Sequence, residues 1–287
     1  MSSFLIKTIR RFARCANIKL MKIGIFDSGL GGLIIAKAIR REMPKYDYAY
    51  LGDTKRVPYG NRSHDAVYEF ARECVDYLFR KENCAVVIVA CNTASARALR
   101  KLQKEYLAQN FPGRKILGVL IPAAEEAAKY SRIGVLATAG TVASGSFSRE
   151  ILKKNRKAEV FQNPAPMLVP LAEEGEKKLA EKFIGKYLKP LLAKKPEAIV
   201  LGCTHYPFFK SQIRRIAGKK VKIISQDEIV PRKLKEYLRL HSQISGKLSQ
   251  KSTAKILVTD ITANVKKLSA KWFLEKTRII RIFLHHT

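Results

Sequence analysis

Short apolar runs, rich in β-branched residues, alternate along the chain with longer stretches whose apolar positions recur at helical spacing. Strands are predicted at 22–26, 48–51, 85–90, 116–120, 132–137, 198–201, 221–224 and 256–258. Helical periodicity fills most intervals, as at 66–80, where Val67, Phe70, Cys74, Tyr77 and Leu78 share a face, and at 183–192. AVVIVA at 85–90 and AIVL at 198–201 are apolar at every position, so both faces of these strands are covered. Strands of that kind belong to parallel sheets flanked by helices. The predicted class is α/β with two mainly parallel sheets.

A pseudo-repeat supports two similar halves. AVVIVACNTASA at 85–96 and AIVLGCTHYPFF at 198–209 are each a buried strand, then a cysteine with hydrogen-bonding residues, then a helix. Ligands of open α/β sheets sit beyond the carboxyl ends of the strands, where Cys91 and Cys203 fall. A buried cysteine is ordinarily a small hydrophobe, which suffices for Cys74 and Cys84. Cys91 and Cys203 each precede a helix start, which is expected to lower a thiol pKa. One such thiol with His205 would suit acyl transfer, but that leaves the second unused. Two matched thiols suit removal of a proton from one face of a ligand and delivery to the other.

Two further loops carry candidate chemistry. KIGIFDSGLGG at 22–32 ends a strand and enters a helix predicted over 33–43. It is either an anion pocket of free N–H groups or a glycine-rich turn capped by Asp27 and Ser28. A dinucleotide fingerprint would need glycine where Ile34 stands, and no Gly-Lys-Ser/Thr of a P-loop follows. LGDTKRVPYGNRS at 51–63 offers the Tyr59 phenol and the Gly60 amide, or is simply a strand–helix connection with Ser63 as N-cap.

The motifs together resemble the glutamate racemases of the cofactor-independent aspartate/glutamate racemase superfamily. IGIFDSGLGG (23–32), LGDTKRVPYGNRS (51–63), ACNTASA (90–96), IGVLATAGTVASGSF (133–147), LVPLAEEG (168–175) and LGCTHYP (201–207) occur in the family's order across nearly all of 21–287. The resemblance implies Cys91 and Cys203 as the opposed acid/base pair, assisted by Asp27, His205 and Glu173. It implies Asp27, Ser28, Tyr59, Gly60, Asn92, Thr93, Thr141, Thr204 and His205 as substrate-binding residues. It implies racemisation of glutamate without pyridoxal phosphate, metal or nucleotide, in a cytoplasmic homodimer that supplies D-glutamate for peptidoglycan. The implied fold is two pseudosymmetric α/β domains, 21–113 with 231–287 and 114–230, with the site in the cleft between them. Two stretches depart from the family: VLIPAAEEAA at 119–128, and Ile-Ser-Gln-Asp-Glu at 224–228 where Asp-Ser is common.

Composition narrows the alternatives. The 287 residues are 47% hydrophobic and 28% charged, a globular balance with no apolar run of membrane-spanning length. Five cysteines without a CxxC make neither a disulfide framework nor a zinc site. The formal charge of +31 favours acidic ligands and raises a second class of reading, a polyanion-binding protein on a racemase scaffold. Its lysines are scattered through 176–195, 209–222, 232–255 and 264–281 rather than gathered in a stripe, so no specific nucleic-acid or membrane partner is expected. Residues 1–20 are a basic, acid-free extension, and Met21 is the expected functional start. Aspartate or another amino acid is the alternative substrate.

Overall fold

The computed structural model describes residues 20–273 and 277–284; Cys15 and the basic extension up to residue 19 lie outside them. Among the described residues ten strands form two sheets, and every pairing between them is parallel. The first has the order β10-β9-β2-β1-β3-β4, built from β1 (Lys22–Asp27), β2 (Tyr48–Gly52), β3 (Cys84–Val89), β4 (Lys115–Gly118), β9 (Ala254–Val258) and β10 (Ile279–Arg281). The second has the order β6-β5-β7-β8, built from β5 (Arg132–Ala137), β6 (Glu159–Pro164), β7 (Ala198–Gly202) and β8 (Lys222–Ile224). The fold is thus two-sheet α/β, as the pattern of apolar runs predicts.

The helices that position the site are α1 (Gly32–Glu42), α2 (His64–Arg80), α3 (Asn92–Arg97), α4 (Leu120–Ala127), α5 (Ala139–Ala143), α6 (Ser146–Lys154), α7 (Leu168–Glu174), α8 (Lys177–Leu192), α9 (Lys210–Ala217), α10 (Gln226–Leu240) and α11 (Ala263–Trp272). Strands β3 and β7 are buried at every residue, which is why both read as unbroken apolar runs. Ser63 caps α2, accepting from the Ala66 N–H, as its place in the sequence predicts.

Two strands are absent from the expectations, and both are edges. In β6, Glu159, Gln162, Asn163 and Pro164 interrupt the apolar pattern, because among the described residues only β5 pairs with it and it ends the sheet. β10 is three residues long and, among the described residues, pairs only with β9. Leu120, predicted to end a strand, instead begins α4. A short apolar run without alternation does not separate strand from buried helix. Among the described residues no helix is long and apolar enough to cross a membrane.

Candidate active site

Strand β1 delivers Asp27, fully buried, to the start of the 28–31 loop. Its Oδ2 accepts the N–H groups of Gly29 and Gly32, each at 3.1 Å, so the carboxylate caps the turn into α1 from within. Asp27 Oδ1 is buried without a hydrogen bond among the described residues. Gly31 is required for space rather than for its dihedrals, since its φ is −57°. A Cβ there would lie 2.5 Å from both His205 Nδ1 and Thr204 Oγ1. The loop after β1 in one sheet is thereby pressed against the loop after β7 in the other.

Cys91 follows β3 and is the N-cap of α3, its sulfur accepting from the Ala94 N–H at 3.5 Å. Cys203 directly follows β7. Both line a cavity of about 310 Å³, the size of pocket that suits a small polar molecule. Ser28, Asn92 and Thr93 face it from the first sheet; Thr138, Glu173, Thr204 and His205 face it from the second; Val57 to Gly60 close one side. The Gly60 segment reaches the second sheet closely, since a Cβ on Gly140 would come within 2.6 Å of the Gly60 carbonyl oxygen.

The site's electrostatics are governed by burial and then by specific partners. His205 stands between Cys203, whose sulfur is 3.9 Å from Nδ1, and Glu173, whose Oε1 is 3.0 Å from Nε2. Burial works against the imidazolium, but the hydrogen bonds with Cys203 and Glu173 outweigh it and push the pKa up to about 10. Asp27 is raised by burial, against the opposing pull of His205 and the Gly32 and Gly29 N–H groups. The expected lowering of a thiol by a helix start fails at Cys91. Burial and the nearby Asp27 charge push it up to about 12, outweighing a hydrogen bond from Ser28 and the Ala94 N–H. Desolvation of a buried thiolate exceeds what the end of a six-residue helix returns.

Residues 34–229 match the Asp/Glu/hydantoin racemase family. The glutamate racemase of Aquifex pyrophilus is 42% identical over 253 residues, spanning 86% of this chain and 92% of that protein. The chain belongs to the Asp/Glu/hydantoin racemase family. It is accordingly an isomerase, an amino-acid racemase. A glutamate racemase isoform of Bacillus anthracis has a similar crystal structure, with TM-score 0.83, 30% identity, and coverage of 92% of this chain and 98% of that one. That of Francisella tularensis, crystallised with D-glutamate, gives TM-score 0.82 at 30% identity over 92% of this chain and 98% of that one.

The cavity gathers Ser28, Tyr59, Gly60, Cys91, Asn92, Thr93, Glu173, Cys203, Thr204 and His205 from the residues singled out in the sequence. Three are placed differently from their simplest reading. The Tyr59 phenol is buried and donates to Asp53 Oδ2 at 2.6 Å, so it is turned into the core, leaving that residue its backbone to offer a ligand. Thr141 is fully buried and lies behind Thr138, their hydroxyl oxygens 3.0 Å apart. Asp27 is not among the residues lining the cavity, and its Oδ2 braces the 28–31 loop, which supplies Ser28 and Gly29 to the lining. Thr138, Val169 and Pro170 line the cavity and were not anticipated. Thr138 was recognisable as the N-cap before Ala-Gly-Thr, accepting from the Thr141 N–H. Cys74 and Cys84 lie in the core around β3, away from the cavity.

Proposed function

We propose that this racemase interconverts L- and D-glutamate, with Cys91 and Cys203 as opposed acid and base and no cofactor, and so supplies D-glutamate for peptidoglycan in the cytoplasm. The observation that carries the reading is the placement of two thiols, from equivalent strand ends of two different sheets, on one small cavity. One thiolate removes the α-proton, and the other thiol gives its proton to the opposite face of the carbanion. The inverted product leaves with the solvent-derived proton, and the two sulfurs have exchanged protonation states. The thiolate role is demanding at Cys91, whose pKa is about 12. Asp27, itself raised by burial, relieves the repulsion when it takes up a proton, and His205 places a positive charge beside Cys203. Ser28, Gly60, Asn92, Thr93 and Thr204 supply N–H and hydroxyl groups for the substrate's carboxylates and amine. In this reading the two sheets are separate domains closing on the substrate, and the assembly is a homodimer, which light scattering of the purified protein checks.

Chiral analysis of purified protein with L- and D-glutamate and with L-aspartate, in cofactor-free buffer, tests the substrate. Preference for aspartate would move the substrate class and leave the thiol chemistry standing. The thiols are tested with a β-chloro amino acid, whose elimination needs only the abstracting base. Cys91→Ser and Cys203→Ser are each expected to lose racemisation by about 10²-fold or more. They should retain elimination with opposite enantiomer preference. The same preference in both variants would defeat the opposed-thiol assignment.

A further inference from the structure

Asn92 opens α3, directly after Cys91, and its side chain is 98% buried against Gln226, the first residue of α10. The two amides form a reciprocal pair. Asn92 Nδ2 donates to Gln226 Oε1 at 2.8 Å, and Gln226 Nε2 donates to Asn92 Oδ1 at 2.7 Å. Gln226 is fully buried, and its Nε2 also donates to the Val119 carbonyl at 3.3 Å. The racemase reading uses Asn92 against the substrate and leaves Gln226 without a part.

An amide is nearly symmetric in shape but not in polarity, and a reciprocal pair keeps both its hydrogen bonds if both amides flip together. The Val119 carbonyl breaks that symmetry, because a carbonyl only accepts. It requires the NH₂ of Gln226 on its side, and this in turn sets Oδ1 and Nδ2 of Asn92. An amide has two N–H donors and two lone pairs. Gln226 occupies one of each on Asn92, so one donor and one acceptor remain, in a fixed order, for the cavity that Asn92 lines.

We infer that Gln226 is a positioning residue for the racemase reaction: through Asn92 it fixes which polar atoms the cavity presents to the amino-acid substrate beside Cys91. The inference rests on the proposed racemisation of glutamate and deepens it. Gln226 touches no ligand itself and does not line the cavity. Without it Asn92 rotates between two orientations, only one of which matches the substrate. The loss is then one of binding more than of chemistry.

A double-mutant cycle on the full-length protein tests this, because coupling through a single contact is non-additive whereas independent structural damage adds. Gln226→Met keeps the packing and removes the polarity. It is expected to raise KM for glutamate about tenfold, the scale of one hydrogen bond, with kcat within about threefold. Asn92→Ala is expected to raise KM at least as much, and the double variant to be no worse than Asn92→Ala alone. Should Gln226→Met not fold, Gln226→Asn withdraws the amide by one methylene and is expected to show the same KM rise and the same non-additivity. A double variant whose loss is the product of the two single losses would overturn the role of Gln226. So would a Gln226 variant with unchanged KM. Wild-type protein active on aspartate alone would overturn the glutamate reading, and the cycle, run on aspartate, would still decide Gln226. Wild-type protein racemising no acidic amino acid would overturn both.

Discussion

The His205 imidazole is buried, and its protonated form persists only because Cys203 and Glu173 hold its two nitrogens. The sign of the consequence follows from linkage. A histidine whose folded pKa is about 10, against about 6.5 in an unfolded chain, contributes stability in full below pH 6.5. That contribution declines as the pH rises toward 10 and is gone above it. Glu173→Gln removes one of the two groups that raise the pKa while keeping a hydrogen-bond acceptor. The expected outcome is that loss of activity on the alkaline side moves to lower pH, and that the variant's thermal-stability deficit against the wild type is largest near pH 6 and shrinks as the pH rises toward 10. Racemisation and thermal melts across that range check it, and an unmoved alkaline limb would remove Glu173 from the protonation of the site. The identity of His205 and Glu173 as candidates was legible from the motifs, but their contact was not, because 32 residues of chain separate them. The rise of Cys91 was likewise hidden, since local sequence shows the helix start and not the depth of burial.

At the scale of elements, the strands that carry the thiols were the easiest to read and the edges the hardest. β3 and β7 are central, apolar on both faces, and followed by polar loops. The 51–63 loop shows how a motif can be found and its geometry missed. Asp53 accepts from Tyr59, Arg56 and Thr259, the last at 2.8 Å and from beyond β9, so the Tyr59 ring is drawn inward. No local pattern announces a partner 206 residues away. The glycine-rich loop after β1 is similar, for its spacing suggests a ligand cradle while Gly31 is a matter of clearance between two loops. Gly31→Ala is compatible with the backbone but drives a methyl group into His205 and Thr204. His205 is held from behind by Trp272, ring centroids 5.6 Å apart, so it cannot retreat cheaply. The expected result is a fall in kcat/KM on the order of 10²-fold, as small misplacements of reacting groups produce. Gly185→Ala, in the middle of α8 with open space around it, is the control and is expected to stabilise by about 0.5–1 kcal/mol without touching activity. Wild-type kcat/KM in Gly31→Ala would show that this clearance does not matter.

At the scale of the whole molecule, cations that contribute to the net charge of +31 lie, among the described residues, on the outward faces of helices. In α8 the residues Ala180, Ile184, Leu188 and Leu191 face the core, while Lys177, Lys178, Lys182, Lys186 and Lys189 are exposed. In α10 the inward face is Ile229, Val230, Leu234 and Leu238, and Arg232, Lys233, Lys235 and Arg239 are exposed. Amphipathicity demands polar residues at these positions and does not choose their sign. The two helices pack against different elements, α8 against β5 and β6 and α10 against α1 and α4. Some are already answered, as Lys235 is by Glu42 and Lys210 is by Asp227 and Glu228. A dispersed field of this kind attracts any polyanion through counterion release and holds none in register. Binding to duplex DNA is therefore expected to be weak, with a dissociation constant around 10⁻⁴ to 10⁻⁶ M at physiological salt. It should be indifferent to base sequence and fall steeply as salt rises. Titrations of two unrelated duplexes at several salt concentrations check this. Affinity that separates the two duplexes, or that survives raised salt, would mean the cations form a recognition surface, and would restore the polyanion reading beside the racemase.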